Sequence, residues 1–403
     1  MTATQRRTAT IKVAVRRRIW AFRSLAAGGA LCAVLVLAEV ALRLFAPLPY
    51  SDLLLWTQDG HLMGIPRPNQ VLVGPGYEVR TNSLGFRGPD HTWTPASGTL
   101  RLIAFGGSST FGLNASGENA TWPERLQQHL SEALKMPVEV INFGLPGYDA
   151  FTSKINYLST GRAFHPHVVL VYHTWNDLKF FRPLEKSPVL RARVIRNRPL
   201  WERVARKAQI ARRIGRLMLA FQEREIENSY TSKNGEETDA ALPVHAEALD
   251  WARQNFRDFA SFARSDGALC VLITEATLAV PENVDKPDCR AAIRLDYVGM
   301  TMPVLAQTWT QMNDVIETVA AEEDAIFVNG YKAVPHDFEH LIDHVHLTDL
   351  GRDRLAEAIA DTLLQDSRFL AVARTVRLDG KSAEPHRAKS RGANTPARGD
   401  RAD

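Results

Sequence analysis

Ser108 stands in RLIAFGGSSTFG (residues 101–112), where an apolar, strand-like run stops on Gly106-Gly107. Glycines at such a point serve an ordinary turn, or they lift a serine hydroxyl clear of a sheet for use as a nucleophile. A serine hydroxyl attacks poorly at neutral pH unless a base takes its proton. Far along the chain, HLIDHVHLTDLGRDRL (residues 340–355) holds Asp343, His344 and His346 just before a helical pattern. An aspartate three residues ahead of a histidine can hold one ring nitrogen of His346 and turn the other toward Ser108. Acyl transfer also needs donors for the developing oxyanion. The backbone N–H groups of Ser108 and Gly147, the latter in NFGLPGYD, and the side-chain amide of Asn176 in YHTWNDL are candidates. Gly147 also reads as a plain turn after Pro146, and Asn176 as a cap on the turn that follows it.

Bringing these residues together requires elements that end near one another. The apolar runs TLRLIAFG, VEVINFG, HVVLVYHT, ALCVLITEA and AIFVNG read as five strands covered on both faces. Helical patterns alternate with them, including WPERLQQHLSEALK, HAEALDWARQNFRDFASFARSDG, LAQTWTQMNDVIETVAAEE and DLGRDRLAEAIADTLLQ. That alternation predicts an α/β fold with a doubly wound parallel sheet. Ligands of such sheets bind at the carboxyl ends of the strands, where Ser108, Gly147 and Asn176 fall.

In order and approximate spacing, GGSSTFG, the glycine of NFGLPGY, the Asn-Asp of TWNDL and DHVH resemble the blocks of the SGNH, or GDSL-type, serine hydrolases. The resemblance covers residues 75–367 apart from an arginine-rich insertion. It implies a flavodoxin-like five-stranded sheet of order 2-1-3-4-5, with Ser108 as nucleophile, His346 as base and Asp343 orienting it. Ser108, Gly147 and Asn176 would form the oxyanion hole, and no metal or other cofactor is called for. Two positions depart from the family pattern: Gly107 stands where an aspartate is usual, and Thr174 where a glycine is usual. The lead-in NSLGFRG is similar to that of membrane-anchored members often linked to extracellular carbohydrate.

Charge bears on location. Residues 1–23 carry seven basic residues and no acid, and residues 374–403 carry eight basic and four acidic ones; against a total of +4, the body between them stands at −7. The basic excess therefore lies at the two ends, which argues against a nucleic-acid partner. SLAAGGALCAVLVLAEVAL (residues 24–42) follows the basic stretch and nearly matches a membrane span. We read 1–23 as a cytoplasmic terminus and 24–46 as a signal anchor, a cleaved signal peptide being the competing reading. Glu39 and Arg43, one turn apart, could pair near its outer end. The division continues with an irregular lead-in (47–98), a hydrolase domain (99–369) with a helical insertion at about 181–242, and a disordered tail (370–403). The catalytic domain is then extracytoplasmic, in a periplasm-like space. Cys32 reads as an apolar residue of the span; Cys270 and Cys289 lie where a disulfide could persist, although Cys270 also reads as buried in a strand.

The expected function is hydrolysis of an ester, either an O-acetyl group on carbohydrate or a lipid-like ester, through an acyl-serine. Three other readings compete. An O-acyltransferase acting on an extracellular polysaccharide would use the same intermediate. A metal site could form where His336, Asp337, Glu339, His340, Asp343, His344 and His346 crowd together, although HDFEH lacks the order of a zinc hydrolase helix. A catalytically silent, membrane-anchored scaffold would keep the fold alone.

Overall fold

The computed structural model describes residues 3–45, 65–74, 77–181, 210, 246–293 and 295–391. The arginine-rich insertion lies almost entirely outside them. The chain divides into two units, Met1–Tyr50 with Ile195–Ser229, and Ser51–Val194 with Tyr230–Asp403.

In the first unit, helix α1 (Ala3–Phe45) contains a predominantly apolar stretch, Arg18–Leu42, long enough to cross a membrane and not buried by protein. The carboxylate of Glu39 accepts the backbone N–H of Ile210 (3.1 Å); the side chain of Arg43, its expected partner, lies outside what is described.

The second unit contains a parallel sheet of β3 (Leu100–Gly106), β4 (Val138–Asn142), β5 (Val168–Tyr172), β6 (Leu269–Ile273) and β7 (Ile326–Val328). A hairpin of β1 (Val71–Gly74) and β2 (Tyr77–Arg80) precedes it. The strands lie in the order β4-β3-β5-β6-β7, the 2-1-3-4-5 arrangement that the resemblance implies. Every residue of β3 and β5 is buried, so their continuous apolar runs match a sheet covered on both faces. Register aligns Ala104 with Asn142, Gly106 with Tyr172 and Tyr172 with Ile273, which brings the strand ends into one row.

Between the strands lie α2 (Ser108–Phe111), α3 (Trp122–Leu134), α4 (Ala150–Ser159), α5 (Ala246–Ser265) and α6 (Met302–Glu322), and α7 (Asp349–Gln365) follows β7. The starts of the capped helices follow from local chemistry. Asp149 accepts the Thr152 N–H (2.8 Å) at the start of α4, and Thr348 accepts the Gly351 N–H (3.1 Å) at the start of α7. The lead-in is tied to the strand ends by Phe86, stacked 3.9 Å from Phe143, and by the buried Arg87, which donates to the carbonyls of Phe111 (3.0 Å), Gly112 and Glu78 (2.7 Å).

Where a disordered tail was expected from residue 370, the chain forms helix α8 (Ser367–Arg391). Phe369, Ala373 and Val376 are buried along one face, and Gly380 approaches Gly98 so closely that a Cβ there would stand 2.6 Å from the Gly98 Cα. The stripe consists largely of small residues, and it therefore lacks the strong apolar rhythm of a packed helix. Cys270 and Cys289 are both buried free thiols, so no bridge joins them. Burial pushes the Cys270 thiol up to about 12.

Candidate active site

Three strand ends and one distant loop converge. Ser108 begins α2 directly after β3, half-buried, with its Oγ 2.7 Å from Nε2 of His346. Nδ1 of His346 lies 2.7 Å from Oδ2 of Asp343. The Asp343 carboxylate is itself fixed, since Oδ1 accepts the backbone N–H groups of Val345 (3.0 Å) and His346 (2.9 Å). Burial alone raises the Asp343 pKa, but the hydrogen bond and charge of His346, the charge of His344 and the Val345 N–H outweigh it and hold the carboxyl well below the ordinary carboxylate range. An ionised aspartate so placed keeps the Nδ1 proton on the imidazole and leaves Nε2 to accept a proton from the serine. The neighbouring Ser109 donates to the Val345 carbonyl (2.9 Å), joining the serine turn to the histidine loop by a second bond.

Asn176 follows β5, buried, and its Nδ2 donates to the Tyr148 carbonyl (2.9 Å). It therefore reaches across to the Gly147 loop, whereas sequence alone allowed a cap on its own turn. Asp177 reinforces that link by accepting the Ala150 N–H (3.1 Å). Gly147 has φ +80°, a left-handed conformation that suits glycine. At Gly107, one of the two departures from the family pattern, a Cβ would stand 2.7 Å from Asn176 Nδ2. Here a residue without a side chain leaves room for Asn176. At the other departure, Thr174 is fully buried, with its hydroxyl bonded to the His173 carbonyl (2.6 Å).

The remaining acidic and histidine residues of the loop separate. His340 pairs with Asp337 (2.8 Å), and His336 Nδ1 lies 2.8 Å from the Thr277 carbonyl. The His344 ring sits 4.0 Å from Trp175, with its Nδ1 3.5 Å from Asp343. Among the described residues, no group of three or more His, Cys, Asp or Glu is arranged to hold a metal ion. Sequence reading missed Glu275 and Trp175. Both are buried beside the site, and the only signal for Glu275 was an acid at the end of an apolar strand run.

A doubly wound sheet with a hydrogen-bonded Asp-His-Ser relay at its strand ends defines the serine-hydrolase class. Residues 104–354 match the model of the GDSL-like lipase/acylhydrolase family, and the chain belongs to that family, hydrolases acting on ester bonds. Similar solved structures include Axe2, an acetylxylan esterase from Geobacillus stearothermophilus (14% identity, TM-score 0.39, covering 65% of this chain and 93% of that one). Others are TesA (16%, 0.39, 66% and 98%) and LAE5, an alpha/beta hydrolase enzyme from the metagenome of Lake Arreo, Spain (13%, 0.38, 70% and 98%). No curated protein matches the chain.

Proposed function

We propose that the chain is a membrane-anchored esterase whose nucleophile is Ser108, with the catalytic domain outside the cytoplasm. In the first step the Ser108 hydroxyl gives its proton to Nε2 of His346 as Oγ attacks the ester carbonyl, and Asp343 stabilises the imidazolium. The oxyanion is received by the backbone N–H groups of Ser108 and Gly147 and by the Asn176 amide. His346 then returns the proton to the departing alcohol, which leaves an acyl-serine. A water, deprotonated by the same Nε2, attacks that acyl group, and the collapse releases the acid and restores Ser108.

The observation that carries this reading is the unbroken pair of 2.7 Å contacts from Asp343 through His346 to Ser108. For the substrate we favour an O-acetyl group on carbohydrate, on the strength of the lead-in Asn82–Gly88, with a lipid-like ester as the other ester class. The test is release of acetate from a short-chain acetyl ester and from acetylated oligosaccharide by the full-length chain in detergent, with a carbohydrate acceptor added or withheld. Release that needs Ser108 and no acceptor supports the esterase. Transfer that requires the acceptor makes the chain an O-acyltransferase instead. A folded chain whose Ser108 resists a fluorophosphonate and which releases nothing would be a scaffold.

A further inference from the structure

Glu275 lies just past the carboxyl end of β6, 4% exposed, in a place where an acid is costly. Its Oε2 accepts the backbone N–H of Trp175 (2.8 Å). Its own carbonyl accepts Nε1 of Trp309 (3.0 Å) on α6, and the next residue, Ala276, donates its N–H to the Tyr172 hydroxyl (3.1 Å). Two residues further, the Leu278 N–H donates to the His344 carbonyl (3.2 Å). One carboxyl thus holds the turn that carries Asn176, and its charge interacts with His346.

We infer that Glu275 is a positioning residue of this site: its carboxylate fixes the Thr174–Asn176 turn and supports the positive charge that His346 acquires when it takes the Ser108 proton. The inference rests on the serine-esterase reading above. An anion near the imidazole stabilises the imidazolium more than the neutral ring, so its effect falls on the proton-transfer step. When Glu275 is neutral, that support is gone. The Trp175 N–H then faces a weaker acceptor.

Titration makes the idea testable. Burial pushes the Glu275 carboxyl up to about 7, although the Trp175 and Thr174 N–H groups, the His346 charge and Ser109 pull it down. His346 and Tyr172 are the titratable groups that interact with it, and the Tyr172 hydroxyl is itself driven well above its ordinary value by burial and by Glu275. The experiment is the rate at which a fluorophosphonate labels Ser108, followed by mass spectrometry on the full-length chain in detergent from about pH 5.5 to 8.5, for wild type and Glu275→Gln. Wild type should exceed Glu275→Gln about tenfold at the alkaline end, and the ratio should fall toward one at the acid end, where wild-type Glu275 is itself neutral. A ratio independent of pH would reduce Glu275 to a structural hydrogen-bond acceptor and overturn the inference. Should Glu275→Gln fail to fold, Glu275→Asp keeps the charge, and its labelling rate should stay within about threefold of wild type at the alkaline end; a loss there as large as that expected of Glu275→Gln overturns the inference in that arm. Absence of labelling in wild type would sink the serine-esterase reading itself, an outcome separate from either ratio.

Discussion

Two histidines, 344 and 346, flank Val345, and their partners distinguish them. His346 bridges Asp343 and Ser108, whereas His344 packs on Trp175. His346→Ala should therefore lower turnover by roughly a thousandfold or more while the melting temperature holds, and His344→Ala by less than about tenfold. Equal losses would mean that the relay runs through the other ring. Asn176→Ala should cost on the order of a hundredfold in kcat with little change in KM if its amide serves the oxyanion; an unchanged kcat would leave it only its bond to Tyr148. Two carboxyls, the buried Glu275 and the half-buried Asp343, predict opposite pH effects on stability. Glu275 binds its proton more tightly folded than unfolded, so its contribution is greatest below about 4.5 and is lost as pH rises toward about 7, by about 3 kcal/mol. Asp343 behaves conversely, stabilising the fold above the ordinary value of 3.8 and losing that contribution as pH falls. Urea titrations at pH 5 and 8 should show a smaller decline with rising pH for Glu275→Gln than for wild type.

At the level of elements, the strand and helix patterns reappear in the structure because each is a local property: buried apolar runs form strands, and amphipathic stretches with capping residues form helices. α8 was not recognised, for a physical reason. A face of Phe369, Ala373, Val376 and Gly380 packs by close approach more than by bulk, and such a face scarcely differs in composition from a polar tail. Among its described side chains, the large and fully buried Phe369 is the handle for a test. Phe369→Ala should destabilise the domain by about 3 to 5 kcal/mol, measured by denaturant unfolding, because it empties a fully buried site. A change below about 1 kcal/mol would mean that α8 adds little to the domain's stability.

At the scale of the whole molecule, a 25-residue apolar stretch follows a basic terminus that contains no acid. On the membrane-anchored reading proposed above, this helix stays in the bilayer with its amino end in the cytoplasm, whereas a cleaved signal would not. The full chain should remain with membranes after alkaline carbonate washing, and removal of residues 1–46 should release it. Recovery of a wild-type chain shortened at its amino end from the soluble fraction would instead identify a cleaved signal. By itself the sequence determined what depends on near neighbours: the alternating elements, the glycine-flanked serine, and the closing of Asp-x-x-His on itself. That last motif occurs twice, for Asp337 binds Nδ1 of His340 as Asp343 binds Nδ1 of His346, with the same acceptance of the histidine's own N–H. Only tertiary structure decided which pair meets Ser108. Ser108 and His346 stand 238 residues apart, and their contact depends on the parallel register that aligns the strand ends and on how the final loop docks against them. The burial of Glu275 and the reach of Asn176 to Tyr148 were decided in the same way, because a side chain's long-range partners are set by how elements pack and not by the residues beside it.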